Sequence, residues 1–149
     1  MATKIPKAPS RGEEELVLHL TALKIPFIRH VRFDDGRKWE FDFVIPHHKN
    51  WEQLSSLSDQ TQRRLVVEHG PGLFVAVEVD GGNRMVRNGA AVGRHTGEDD
   101  YRKLNAAAIR GWRVLRFTPA MVRSGEALAP FIPGGNGQQK KPPVSSLNN

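Results

Sequence analysis

The segment 73–82, with the sequence LFVAVEVDGG, constrains the fold of this 149-residue chain most strongly. Its apolar run is too short for a helix of its own, and its Val and Phe content favours a strand buried on both faces. The strand ends in Glu78 and Asp80, whose two-residue spacing puts both carboxylates on one side. Two such acids are costly to desolvate unless a cation such as Mg²⁺ or Mn²⁺ lies between them. The alternative is a frayed strand end that carries two ordinary surface acids.

Composition limits the remaining choices. A chain of 149 residues with 38% hydrophobic content suits one domain with a single core. The absence of cysteine excludes disulfides and thiolate zinc sites. We expect neither a membrane span nor a secretory signal, and therefore a cytoplasmic protein. The formal net charge of +6 makes a polyanionic partner plausible.

The pattern along the chain predicts helices and strands in a defined order. Ser10 and Glu13 have the spacing of a capping box at the start of a helix, so capping alone would account for Glu13. Segments 27–33 and 39–45, joined by a turn at 34–36, predict a β-hairpin. In its second strand one face is predicted to carry Trp39, Phe41, Phe43 and Ile45. Asp42 falls on the other face, where it is either half-buried beside a partner or solvated on an edge strand.

The segments outside the predicted core have distinct compositions. We expect a flexible basic arm at 1–9, a domain over 10–131 with an insertion at 46–72, and a disordered tail at 132–149. Within the insertion, Ser58 predicts the start of a helix that runs to His69 and stops at Gly70 and Pro71. The loop 81–97 is basic and free of acids, so it is either a contact for a phosphate backbone or a mobile surface loop. In the helix that follows, Lys103 flanks the buried side.

Taken together, these motifs resemble those of the PD-(D/E)XK nuclease superfamily. They are more narrowly similar to small bacterial and phage endonuclease-like proteins related to very-short-patch repair and VRR-NUC nucleases. The stretches that carry the resemblance are 37–43, 77–82, 93–95, 100–105 and 111–121, within the span 10–128. The order is a capped helix with an early Glu, an Asp in a second strand, the sequence EVDGG at the end of a third, a helix, and a strand beginning GWRVLRFT.

The resemblance implies an α/β (α+β) fold with an αβββαβ core, whose mixed sheet splays at one end to hold Mg²⁺ or Mn²⁺. Asp42 matches the first acid of the family motif, Glu78 the second, and Glu13 an accessory helical acid. Asp80 stands where the family has a Lys, which makes Lys103 the candidate for the displaced charge and Asp80 a further candidate ligand. The implied metal ligands are thus Asp42, Glu78 and Asp80. The implied contacts to nucleic acid are Arg37, Arg84, Arg87, Arg94 and His95.

The expected function is therefore that of a metal-dependent DNA endonuclease in phage or bacterial DNA processing. Because no base-reading cluster stands out, we expect it to select a DNA structure such as a junction, flap or nick. A homodimer would suit a branched substrate. One alternative is an inactive nucleic-acid-binding protein of the same fold, since the motif Lys is missing. Another is a basic interaction protein that uses the arm and the tail.

Overall fold

A mixed four-stranded sheet organises the fold. In spatial order its strands are β1 (Ile28–Arg32), β2 (Glu40–Pro46), β3 (Phe74–Val79) and β6 (Val114–Phe117). The pairs β1–β2 and β2–β3 are antiparallel, whereas β6 runs parallel to β3. This computed structural model describes residues 8–80 and 97–133, and the backbone of a separate hairpin formed by β4 (Met85–Arg87) and β5 (Ala90–Val92).

Helices cover both faces of this sheet. They are α1 (Arg11–Ala22), α2 (Trp51–Ser55), α3 (Asp59–Leu73), α4 (Glu98–Ile109) and α5 (Pro119–Arg123), with short 3₁₀ helices at His48–Asn50 and Glu126–Phe131. The predicted α+β class and αβββαβ order are confirmed by α1, β1, β2, β3, α4 and β6. The helices α2 and α3 lie within the segment 46–72 and its continuation to β3. In the described part of the chain, no helix has the length and apolar character needed to cross a bilayer.

Two hydrophobic cores lie on opposite sides of the sheet. The α1 core contains side chains from α1, α5 and one face of the strands, among them Leu16, Leu20, Val77 and Val122. The α4 core contains side chains from α2, α3, α4 and the other face, among them Leu54, Val66, Ala76 and Ala107. The strand β3 contributes to both cores and is buried at four consecutive positions from its start. Its prediction as a strand buried on both faces is confirmed.

The predicted common face of Trp39, Phe41, Phe43 and Ile45 is wrong, because Trp39 packs with Phe41 on the side of the α4 core. Phe43 and Ile45 lie in the α1 core, whereas Phe41 lies in the α4 core together with Val44. Side chains two apart on a regular strand share a face, so β2 changes the side of the sheet that it presents between Phe41 and Phe43. The alternation assumed from the sequence holds only where the strand is regular.

The same change occurs on β1, directly opposite. Ile28 and Val31 are three residues apart, yet both lie in the α4 core. Between them His30 has a φ of 50°, a left-handed conformation that a non-glycine residue adopts at an energetic cost. The pairing of Ile28 with Val44 and of Arg32 with Glu40 puts His30 opposite Asp42. The irregularity is therefore centred on the residue pair that reaches the candidate site.

The helix α3 continues to Leu73, past the stop predicted at Gly70 and Pro71. A Cβ atom added to Gly70 would lie 2.0 Å from Cζ2 of Trp112, so the indole packs directly against the helix backbone. Gly70 is needed for this close approach and does not end the helix. Pro71 also lies inside the helix, where it lacks the backbone N–H of an ordinary helical residue.

We therefore expect Gly70→Ala to lower the free energy of unfolding by about 1–3 kcal/mol, because the added methyl group must displace the Trp112 ring. Chemical denaturation of the two proteins measures the difference. Gly72→Ala is the matched control, because nothing lies within 4 Å of a Cβ added there. Its stability should hold or rise, since Ala favours a helix over Gly. Equal losses in both variants would contradict the packing role of Gly70.

Candidate functional site

A cleft opens at the end of the sheet where β2 and β3 part. Their backbone pairing runs from Pro46 opposite Phe74 to Phe43 opposite Val77. Beyond that pair, the backbone N–H of Val79 donates to Oδ2 of Asp42 at 2.8 Å. The Asp42 side chain thus takes a place that a backbone carbonyl would occupy in a continued ladder. The two strands therefore part at this end of the sheet.

The cleft has a volume of about 950 Å³ and a mixed charge. All five side chains predicted to be catalytic line it, namely Glu13, Asp42, Glu78, Asp80 and Lys103. Other ionisable side chains also line it, namely His30, Arg32, Lys38, Glu40, Asp99, Asp100 and Arg116. The predicted acids therefore come from α1, β2, β3 and the residue that follows β3, and the predicted lysine from α4.

Glu78 and Lys103 form an ion pair inside this cleft. Lys103 Nζ lies 2.5 Å from Glu78 Oε1, and their side chains are only 17% and 16% exposed, respectively. Burial raises the pKa of Glu78 to about 7 from 4.5, and the charge of Lys103 offsets part of that rise. The nearby charge of Asp42 raises the same pKa further. Glu78 is thus held where it changes protonation near neutral pH.

Asp80 has a different partner. Arg116, on β6, donates to Asp80 Oδ1 at 2.8 Å, and both side chains are about half exposed. The hydrogen bond to Asp80 raises the pKa of Arg116. Arg116 is also the Cα partner of Glu78 in the parallel pair of β3 and β6. Arg116 was not predicted from the sequence, because the register of two strands so far apart in the chain leaves no local signal.

A second group of side chains meets on the α1 side of Asp42. One ligand atom each of Glu13, His30 and Asp42 lie within 4.8 Å of one another. Glu13 is 5% exposed and closes the predicted capping box: Ser10 N–H donates to its Oε2 at 2.6 Å, and Glu13 N–H donates to Ser10 Oγ at 3.3 Å. A carboxylate accepts several hydrogen bonds, so this one leaves capacity for the cluster.

His30 was also missed from the sequence, although a signal for it exists. His30 and Asp42 are equally far from Gly36 in the turn of the predicted hairpin, and residues equidistant from a turn lie opposite each other in antiparallel strands. The left-handed conformation of His30 then distinguishes it from an ordinary strand residue. The hairpin pairing of His30 with Asp42 can be predicted from the sequence, whereas the left-handed conformation of His30 cannot.

The side chains of this cluster fit a divalent cation. Two carboxylates and one imidazole form a mixed oxygen and nitrogen donor set, which suits Mn²⁺ and other first-row ions better than Mg²⁺. Among the residues that the structure describes, Asp42, Glu78 and Asp80 do not form a comparable three-ligand group. Glu78 is paired with Lys103 and Asp80 with Arg116, whereas Asp42 belongs to the cluster with Glu13 and His30.

Most of the predicted contacts to nucleic acid fall outside the described residues. Arg37 is described and exposed, with its guanidinium carbon 5.1 Å from the ring centroid of Trp39. The side chains of Arg84, Arg87, Arg94 and His95 are outside the described part of the chain, and so are segments 1–7 and 134–149 of the arm and the tail.

The raised pKa of Glu78 predicts a pH-dependent stability. Between about pH 4.5 and 7 the unfolded chain releases the Glu78 proton while the folded protein retains it. The free energy of unfolding should therefore fall across this range, by at most about 3.5 kcal/mol, since one pKa unit corresponds to about 1.4 kcal/mol. Denaturation in EDTA at a series of pH values, for the parent and Glu78→Gln, measures this slope. An identical slope in the two proteins would show that Glu78 does not cause it.

No protein-family profile, curated protein or solved structure matches this chain. A function for it is therefore inferred from the cleft and from the motifs that line it.

Proposed function

We propose that this chain is a metal-dependent DNA endonuclease of the PD-(D/E)XK type that hydrolyses phosphodiester bonds in the cleft between β2 and β3. One observation carries the proposal: the side chains of Asp42, Glu78 and Lys103 converge where these strands part. Two carboxylates and a cation in a partly buried cleft are suited to a negatively charged substrate that needs a bound divalent ion.

The residues that would hold this ion are Glu13, His30 and Asp42, whose ligand atoms cluster on one side of the cleft. When bound, a divalent ion offsets phosphate charge and lowers the pKa of a water molecule. Mn²⁺ is the expected ion because an imidazole is among the donors. Of the two ions expected from the resemblance, Mg²⁺ would be bound less well by this set.

The chain itself would supply proton transfer and charge. A carboxyl group whose pKa is about 7 is suited to take a proton from a water molecule at neutral pH, and Glu78 has this property. Lys103 holds a positive charge next to Glu78 and would offset negative charge that develops on the phosphoryl oxygens. The ion pair with Asp80 fixes the Arg116 side chain at the edge of the cleft. Asp80 would therefore act as a positioning residue for Arg116.

The substrate proposed is DNA with a structural feature such as a junction, flap or nick. The net charge of the chain is +6, and the cleft offers Arg32, Lys38, Lys103 and Arg116 to phosphates, although acids outnumber these cations in its lining. Contacts to phosphates position a protein without reading sequence. Binding should therefore weaken steeply between about 50 and 200 mM salt. A homodimer would present two such clefts to a branched substrate, and light scattering tests that assembly.

A second candidate is an inactive nucleic-acid-binding protein of the same fold. The observation that favours it is the ion pair of Asp80 with Arg116, since Asp80 replaces the family lysine and is neutralised by another residue. The two candidates differ in one respect: only the nuclease nicks DNA when a divalent metal is added.

The decisive assay incubates the protein with plasmid, single-stranded and branched DNA in the presence of Mn²⁺, Mg²⁺ or EDTA. The nuclease is expected to cut with Mn²⁺ more readily than with Mg²⁺ and to be silent in EDTA. Cleavage mapping on branched DNA and on duplexes of unrelated sequence then tests selection of structure. Binding without cleavage in any metal would support the second candidate.

A further inference from the structure

The geometry points to Trp39 as a stacking platform for one unpaired nucleobase, so that the preferred substrates are DNAs with a single-stranded segment next to the cut. This inference rests on the proposed function, because it assigns a substrate class to the same cleft. Trp39 lines that cleft together with Asp42 and Glu78. The Trp39 side chain lies next to α4, because its indole contacts Asp99 of that helix.

Trp39 is the outermost ring of an aromatic row that starts in the α4 core. The ring of Phe41 meets that of Trp112 edge-on with centroids 5.1 Å apart, and it stacks on Phe33 at 4.2 Å with an interplanar angle of 11°. Phe33 in turn stacks on Trp39 at 6.4 Å and 18°. Phe41 is fully buried and Phe33 is 4% exposed, so the inner rings are fixed by packing. Trp39, at the end of the row, is only partly buried.

The orientation of the Trp39 ring is also fixed by a polar contact. Its Nε1–H donates to Asp99 Oδ2 at 3.3 Å, across from the hairpin to α4. A ring held by stacking on one neighbour and by a hydrogen bond to another loses little conformational freedom when a ligand binds. The orientation of the Trp39 ring at the cleft is thus fixed before substrate arrives.

Cations near Trp39 can contact the phosphate of a nucleotide, although the indole also contacts the acid Asp99 and Asp100 lines the same cleft. The guanidinium of Arg37 lies 5.1 Å from the Trp39 centroid, and Lys38 and Arg32 line the same cleft. The acid nearest on β2, Glu40, lies 3.8 Å from Arg32. Aromatic rings combined with cations bind single-stranded nucleic acid, because every base has a π-face and every nucleotide a phosphate. Bases within an intact duplex are already stacked on their neighbours, so only an unpaired base would use the Trp39 ring.

The test compares binding of two fluorescein-labelled DNAs in EDTA, one a blunt duplex and the other the same duplex with a single-stranded overhang. Trp39→Ala should bind the overhang DNA about tenfold more weakly or worse, within the range that stacking on an aromatic residue provides, and the blunt duplex about as well as the parent. Trp39→Phe retains a π-face and the inner stack, so it should keep most of the preference for the overhang even if Trp39→Ala proves poorly folded.

Tyr101→Ala is the matched control, since it removes an aromatic ring from α4 that is 69% exposed and does not line the cleft. It should leave both affinities unchanged. The platform would be overturned if Trp39→Ala and Trp39→Phe bound the overhang DNA as tightly as the parent does. It would also be overturned if each variant lost the same affinity for the blunt duplex as for the overhang DNA.

The two proposals can fail separately. A parent protein that binds overhang DNA through Trp39 but cuts nothing with Mn²⁺ would overturn the nuclease and support the platform. A parent protein that cuts DNA with Mn²⁺, and whose Trp39→Ala variant binds and cuts overhang DNA equally well, would support the nuclease and overturn the platform.

Discussion

Asp42→Asn should abolish Mn²⁺-dependent cleavage, with a loss on the order of 10³-fold or more in rate, as expected when a group that stabilises transition-state charge is removed. Asp42 is the acid that belongs both to the cluster with Glu13 and His30 and to the electrostatic environment of Glu78. Replacing its carboxylate by an amide removes an anionic ligand and leaves the remaining cluster with one carboxylate. The nicking rate on plasmid DNA measures the effect.

The fold of Asp42→Asn should remain intact. An asparagine oxygen can still accept the hydrogen bond that Val79 N–H donates to Asp42 at 2.8 Å. The charge of Asp42 also raises the pKa of Glu78, so its removal relieves repulsion and stability in EDTA should hold or rise. Mn²⁺ should raise the melting temperature of the parent and leave that of the variant unchanged.

Glu40→Gln is the control for this variant, because Glu40 lies on the same strand, lines the same cleft and is exposed. Its nicking rate and its thermal shift with Mn²⁺ should match those of the parent. Full nuclease activity in Asp42→Asn would contradict the role of Asp42 in metal binding.

Lys103→Ala is expected to lower turnover by a factor of about 10² to 10⁴, the range for loss of a charge-stabilising or proton-transfer group. Two causes combine. The variant lacks the positive charge at Nζ, and the pKa of Glu78 should rise further because Lys103 is the strongest influence that lowers it. At neutral pH Glu78 would then be mostly protonated and unable to accept a proton. The pH–rate profile should therefore shift to higher pH, and metal affinity should change little.

Two further variants separate chemistry from folding at Lys103. Breaking a partly buried ion pair leaves Glu78 without its partner, at a cost of about 1–3 kcal/mol. Because the pKa of Glu78 is already about 7, protonation limits that cost. The double variant Lys103→Met/Glu78→Gln has neither charge of this ion pair. It should therefore be more stable than Lys103→Ala while remaining inactive. Arg102→Ala, which removes an exposed cation paired with Glu98 at 2.7 Å, should leave turnover unchanged. An unaltered pH–rate profile in Lys103→Ala would contradict the proposed coupling to Glu78.

Several features of the site follow from interactions between residues close in sequence. The capping box of Ser10 and Glu13 spans three residues, and the two acids at the end of β3 are two residues apart. The buried apolar run of β3 and the turn at Gly36 are equally local. From these the sequence alone predicts the order of helices and strands, the α+β class and the end of the sheet at which the acids collect.

The partner of each acid was decided by the tertiary structure. Asp42 receives a hydrogen bond from Val79, 37 residues away, and Asp80 pairs with Arg116, 36 residues away. Such pairs depend on the register between strands and on how α4 is placed over the sheet, neither of which has a local signal. Lys103 was an exception, because the resemblance to a family with a lysine at the position of Asp80 predicted it as the displaced charge.

Local patterns also failed where a single residue departs from regular geometry. The alternation of β2 predicted one face for Phe41 and Phe43, but the irregularity opposite His30 puts them in different cores. Gly70, followed by Pro71, predicts the end of a helix. In the structure Gly70 instead allows the close approach of Trp112, which lies 42 positions further along the chain. The sequence by itself determined which elements form and where charge gathers, because those properties depend on near neighbours. Which side chains meet across the cleft depends on packing between elements, so only the tertiary structure decided it.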